Sequence, residues 1–142
     1  MYLFRGNSPV PAMLATEKSA YNRFLLKLGA KTAFRDTPFE EMYFLKYARE
    51  MRAAVQMPLG LLGGVRSGEN VAQAMRDGFD FVVLGRPLLA EPNFVTRLAG
   101  EPAARSTCIN CNRCVAEFST PAGVRCVLNA PNDPALNARP AA

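Results

Sequence analysis

Apolar residues gather in two short runs near the middle of the chain, Leu59-Gly60-Leu61-Leu62 and Phe81-Val82-Val83-Leu84. Between them a helix-length stretch opens at Ser67 and closes at Gly78, with Val71, Ala74 and Met75 on one face. Continuous apolar runs of this length, joined by a connector of helical size, predict two parallel strands of a βαβ unit. Each run ends in a distinctive pair: Gly63-Gly64 after the first, Gly85-Arg86 after the second.

The flanking segments read less cleanly. Residues 1–16 show no period, and Pro9 and Pro11 predict an extended or looped opening. Residues 17–28 read as a short helix ended by Gly29, its Ala20, Phe24 and Leu28 stripe serving packing alone. The clearest helix spans residues 36–56. Thr37 would cap it, Pro38 fits its first turn, and Glu40 completes a capping box. Phe44, Ala48, Met51 and Val55 would then form its core stripe, and Pro58 would stop it. Residues 92–99 predict a last short helix with Phe94, Val95 and Leu98 apolar. After Gly100 the chain turns rich in Pro, Asn and Ala and carries all four cysteines. Residues 1–100 are thus expected to be one α/β part and residues 101–142 a cysteine-containing extension.

In βα units ligands sit beyond the carboxyl ends of the strands, where both distinctive pairs fall. Glycine lets backbone N–H groups approach a ligand without a Cβ in the way. Arg86 adds a permanent cation with forked donors. Gly63, Gly64, Gly85 and Arg86 are therefore the candidate phosphate cradle. The competing uses are a tight turn that binds nothing and an ion pair between Arg86 and Glu91.

Composition narrows the field. With 142 residues, 49% of them hydrophobic, the chain can build a core and does not read as disordered. A net charge of +5 suits an anionic ligand. The basic residues are scattered without aromatic interleaving, which argues against a nucleic-acid partner. The chain has no His, which removes Ser-His and Cys-His catalysis. No apolar run reaches membrane-spanning length, and Met1-Tyr2-Leu3-Phe4-Arg5 is too short for a signal peptide. A cytoplasmic location is expected, with the cysteines as thiols or metal ligands rather than disulfides.

Cys108, Cys111, Cys114 and Cys126 have the spacing C-x2-C-x2-C-x11-C. Such a group could hold zinc or an iron–sulfur cluster, or be free thiols packing a compact loop. It supplies only half of a zinc-ribbon pattern, and the fourth cysteine lies far beyond the ferredoxin position.

Several segments together resemble the C-terminal part of the old yellow enzyme-like NADH:flavin oxidoreductases, which are FMN-dependent (β/α)8 TIM barrels. They are Phe39-Glu40-Glu41-Met42-Tyr43-Phe44-Leu45, Met57-Pro58-Leu59-Gly60-Leu61-Leu62-Gly63-Gly64, Asp80-Phe81-Val82-Val83-Leu84-Gly85-Arg86-Pro87-Leu88 followed by Glu91-Pro92, and Cys108-Ile109-Asn110-Cys111-Asn112-Arg113-Cys114. The resemblance implies an α/β chain forming the last strands of an incomplete barrel. It assigns Gly63, Gly64, Gly85 and Arg86 to the FMN phosphate. It also implies NADH or NADPH as electron donor and an activated alkene or similar acceptor as substrate, the redox chemistry being the flavin's.

A whole barrel takes about 250 residues, so the missing N-terminal half is the implied partner. The flavin-ring and catalytic residues would lie there, and none is assigned here. The chain is expected to be a truncated product, a fragment or one piece of a split protein, inactive and aggregation-prone alone. The alternatives are another phosphate-binding TIM-barrel enzyme and an inactive metal-binding remnant. A branch of the resembled family holds a four-iron cluster on C-x2-C-x3-C-x11-C. Here the second gap is one residue shorter, which displaces a thiolate by up to ~3.5 Å and argues against carrying the cluster over.

Overall fold

A computed structural model describes residues 5–33, 37–118 and 123–129. The elements in chain order are α1 (Val10–Thr16), α2 (Ala20–Ala33), α3 (Leu45–Ala54), β1 (Gly60–Leu62), α4 (Gly68–Arg76), β2 (Phe81–Val83), α5 (Arg86–Ala90), α6 (Phe94–Gly100) and α7 (Arg113–Ala116). Backbone packing divides the chain into two units: Phe39–Thr107, and Met1–Pro38 with Cys108–Ala142.

The unit 39–107 is built on the expected βαβ. Strands β1 and β2 pair in parallel, with Gly60 opposite Phe81, Leu61 opposite Val82 and Leu62 opposite Val83. Their entrances are clasped in both directions. The Asp80 N–H donates to the Leu59 carbonyl at 2.9 Å, and the Leu59 N–H donates to Asp80 Oδ2 at 2.8 Å. Arg52 reaches the same carboxylate at 3.2 Å. Helix α4 is capped by Ser67, whose Oγ accepts from the Asn70 N–H. It ends at Asp77 and Gly78, where a positive φ of 82° suits glycine. Met42, Leu61, Val65, Ala74 and Phe79 form the buried core, with Leu45, Ala48, Leu59, Val71, Val82 and Leu84 packed around it. The inner face of α4 differs by one residue from the predicted one: Asn70 is buried and Met75 is exposed.

Helix α3 begins at Leu45, well after the predicted start. Asp36 lies outside the described residues. Thr37 caps nothing: it belongs to the unit of residues 1–38 and 108–142, where it exchanges backbone hydrogen bonds with Gly6. The capping box fails because the chain turns left-handed at Met42, φ 53°. That turn buries the Met42 side chain and lets its N–H donate to the Gly64 carbonyl at 3.3 Å. Burial of one large side chain here outweighs a local capping preference of about 1 kcal/mol. The packed face of α3 is Leu45 and Ala48, and Met51 of the predicted stripe is exposed.

Residues 101–107 return over the β1–α4 loop. Ser67 and Arg105 form an antiparallel bridge, Gly68 N–H donates to the Ala104 carbonyl, and Ser106 N–H donates to the Arg66 carbonyl. Helix α6 buries Phe94, while Val95 faces solvent.

In the unit of residues 1–38 and 108–142, a helix replaces the predicted loop over residues 10–16; residues 1–4 of that reading lie outside the described ones. Pro9 and Pro11 sit at the cap and first turn of α1, where a missing N–H costs nothing. Helix α2 runs through Gly29 to Ala33. Its Phe24 and Leu28 are 63% and 73% exposed, so the stripe does not pack. Asn112, buried and left-handed at φ 57°, donates from Nδ2 to the carbonyls of Arg5 at 3.2 Å and Asn7 at 2.9 Å.

Candidate functional site

The register places Leu62 and Val83 side by side at the exit of the parallel pair. The turns at Gly63-Gly64 and Gly85-Arg86 therefore leave the same end of adjacent strands. They are brought together as the sequence suggests, but for different local reasons.

Gly63 and Gly64 have φ of 107° and 82°, a region that side chains rarely adopt. A Cβ at Gly63 would lie 2.5 Å from the Phe44 ring. One at Gly64 would meet the Met42 nitrogen at 2.7 Å and the Glu40 carbonyl oxygen at 2.8 Å. The glycine pair is thus required by the turn itself. Gly85 is different: its φ is −106°, and nothing lies within 4 Å of where a Cβ would project. Its carbonyl accepts from the N–H groups of Leu88 and Leu89, starting α5, with Arg86 and Pro87 in the first turn. Nothing therefore crowds the Cβ side of Gly85.

Arg86 is half-buried, its guanidinium carbon 6.0 Å from the centroid of the Phe39 ring. Glu91, the carboxylate considered as its partner, is held by Arg97 at 2.8 Å and by the Thr107 N–H at 2.7 Å. Burial alone would raise the Glu91 pKa. The hydrogen bonds from Thr107 and Arg97, with the Arg97 charge, outweigh it and hold the carboxyl below its ordinary range.

A residue that the sequence reading passed over belongs to the same place. Arg66, two residues past Gly64, sets its guanidinium carbon 5.7 Å from the same Phe39 centroid. Its Nη2 donates to the Ser106 carbonyl at 2.9 Å, and its Nε lies 4.0 Å from Glu41. The Nε is buried and has no hydrogen-bond acceptor. Glu41 itself takes an ion pair from Arg105 and a hydrogen bond from Asn70 Nδ2. The available signal was position: a cation just beyond a Gly-Gly turn at a strand's carboxyl end.

Cys108, Cys111, Cys114 and Cys126 are half-buried and form no disulfide. Among the described residues, no three Cys, Asp or Glu side chains are poised around a common metal position. Asn110 and Asn112, left-handed at φ 54° and 57°, flank Cys111 and turn the loop twice. No helix among the described residues is long and apolar enough to cross a membrane.

A parallel strand pair with its glycine turns and two guanidiniums at one end is an arrangement suited to an anionic ligand, and comparison with known proteins points to redox chemistry. The chain is similar to the 4,4'-dithiodibutanoate disulfide reductase of Rhodococcus erythropolis, 38% identical over 128 residues. Those residues are 90% of this chain and 31% of that protein, so the chain spans about a third of the relative's length. No family model matches, and no solved structure matches. The likeness supports an oxidoreductase segment.

Proposed function

We propose that this chain is the part of an FMN-dependent NAD(P)H oxidoreductase that holds the flavin's phosphate, contributed by the last βα units of a (β/α)8 barrel. The reading rests on one observation above all. The turns Gly63-Gly64 and Gly85-Arg86 leave the same end of adjacent parallel strands.

The residues fit the group. The Cβ side of Gly85 is uncrowded, and Arg86 would supply a forked cation to the phosphate. The Gly63-Gly64 turn lets backbone come close without side-chain interference. When bound, FMN would supply hydride transfer between a nicotinamide donor and an acceptor. This chain's contribution is to fix one end of that cofactor. The disulfide named for the relative and the activated alkenes of the resembled family are the acceptor classes to try. The remaining barrel strands, supplied by polypeptide outside residues 1–142, would be the chain's partner.

The test is FMN titration followed by flavin fluorescence, with Arg86→Ala alongside. Arg86→Ala should weaken FMN at least about tenfold, as expected for a charge-assisted contact, and leave riboflavin unchanged. Equal FMN affinity in both proteins would remove the assignment. Binding of other phosphate esters without FMN would favour a different phosphate-binding barrel enzyme.

A further inference from the structure

We propose that α2 is a docking helix for an anionic lipid surface, lying along the bilayer interface on Tyr21, Phe24, Leu25 and Leu28. This role is independent of the phosphate site, because α2 lies wholly within the unit of residues 1–38 and 108–142.

Two observations carry it. The first is an apolar stripe with nothing over it. Tyr21, Phe24, Leu25 and Leu28 stand at the i, i+3, i+4, i+7 spacing of one helix face, and all four are exposed. The side of α2 that packs is a different one: among its described side chains, the partly buried ones are Leu26 and Ala30, four residues apart. A contiguous exposed apolar face of this kind marks an interaction surface.

The second observation is charge. Between Glu17 and Asp36 the sequence holds Lys18, Arg23, Lys27, Lys31 and Arg35, and no carboxylate. Arg23 and Lys27, one turn apart on α2, are both exposed. No ion pair among the described residues involves Lys18, Arg23 or Lys27. Glu17, the acid just before α2, serves the helix's own start: it accepts from the Ser19 N–H at 2.8 Å and from Asn22 Nδ2 at 3.4 Å.

An anionic bilayer answers both features at once. Its acyl boundary takes up Phe and Leu side chains while its headgroups meet Lys and Arg. Tyr21 suits the interface, where an amphipathic ring is at home. The 14 residues of α2 make a helix about 21 Å long, which can lie along a membrane but is too short to cross one. A second copy docked on the stripe would instead bring two sets of these cations together with no acid to separate them.

The experiment mixes the full chain with vesicles of phosphatidylcholine alone, or of phosphatidylcholine and phosphatidylglycerol in equal parts, and reads binding by flotation. The chain has no Trp, so Tyr21→Trp provides a fluorescent reporter on the stripe. The anionic vesicles should bind at least about tenfold more tightly than the neutral ones, and added salt should weaken them. They should also move the Tyr21→Trp emission to shorter wavelength. Phe24→Ser or Leu28→Ser should lower affinity about tenfold. Lys27→Glu should weaken binding to the anionic vesicles alone. Met57→Ser, at an exposed apolar residue of the unit 39–107, should leave binding unchanged. Equal binding to both vesicles, wild-type binding by Phe24→Ser and Leu28→Ser, or an equal loss in Met57→Ser would overturn the proposal. An emission shift with polyglutamate but not with vesicles would overturn it in favour of an acidic protein partner. A lipid-free dimer in sedimentation, dissolved by Leu28→Ser, would overturn it in favour of a second copy.

Discussion

Leu62 and Val83 face each other across the last rung of the parallel strand pair, so the two chains leave the sheet as neighbours. Their next residues, Gly63 and Leu84, lead into two turns whose glycines answer different demands. Gly64 is needed by its own backbone, with φ 82° and the Met42 nitrogen 2.7 Å from a Cβ position. Gly85 has open space there. Gly64→Ala should therefore lower stability by about 2–4 kcal/mol. Gly85→Ala should change stability by less than about 1 kcal/mol yet weaken phosphate binding. Urea melts paired with phosphate titrations separate the two. Equal destabilisation by both would refute the division of roles.

The βαβ unit was legible because its signal is local: two apolar runs, a capping serine and a closing glycine. What escaped the sequence was decided by contacts distant along the chain. Residues 37–40 carry a capping box on paper, yet Met42 turns left-handed to reach the core and the Gly64 carbonyl. Met51 and Phe24 keep helical spacing but face solvent, because periodicity reports a possible buried face and not whether something covers it. Of the site, Gly63, Gly64, Gly85 and Arg86 were readable from position after a strand. Arg66 was equally readable as a cation two residues past Gly64, and the structure sets it near the same Phe39 ring as Arg86.

Ser67 is buried, and its Oγ accepts the Asn70 N–H at the start of α4. Ser67→Ala should cost about 1 kcal/mol. A lower urea midpoint with an unchanged m-value would match this; an unchanged midpoint would not.

Acid should destabilise the protein through Asp77 and Glu91. Burial pushes both carboxyls up. For Asp77 the hydrogen bonds of Arg49 and Gln73 and the charges of Arg49 and Arg76 win; for Glu91 Thr107 and Arg97 win. Both therefore titrate below their ordinary values of 3.8 and 4.5 in the folded chain. Unfolding then takes up protons, so their contribution is complete above the ordinary values and fades as pH drops through the lowered ones. Melting temperature measured from pH 6 to pH 2.5 should fall less steeply in Glu91→Gln and Asp77→Asn than in wild type. Parallel curves would contradict the shifts.

Leu61 is fully buried, whereas Phe24 is 63% exposed. Leu61→Ala should cost about 2–5 kcal/mol and Phe24→Ser under about 0.5 kcal/mol. Chemical denaturation would reverse this ranking only if the stripe on α2 were covered in solution.

Asn112 holds two backbone carbonyls, at Arg5 and Asn7, from a left-handed position. Asn112→Ala should remove both bonds and add backbone strain, together about 2–4 kcal/mol. Faster amide exchange at residues 108–114 would report the loss; unchanged exchange would tell against it.

The two-way clasp between Leu59 and Asp80, with Arg52 on the same carboxylate, gives the strand pair a hinge side. The chains are stitched where they enter the sheet and end in glycine where they leave it. Thermal breathing should accordingly start at the exit and travel backwards, so the rim that meets an anion opens while its base stays shut.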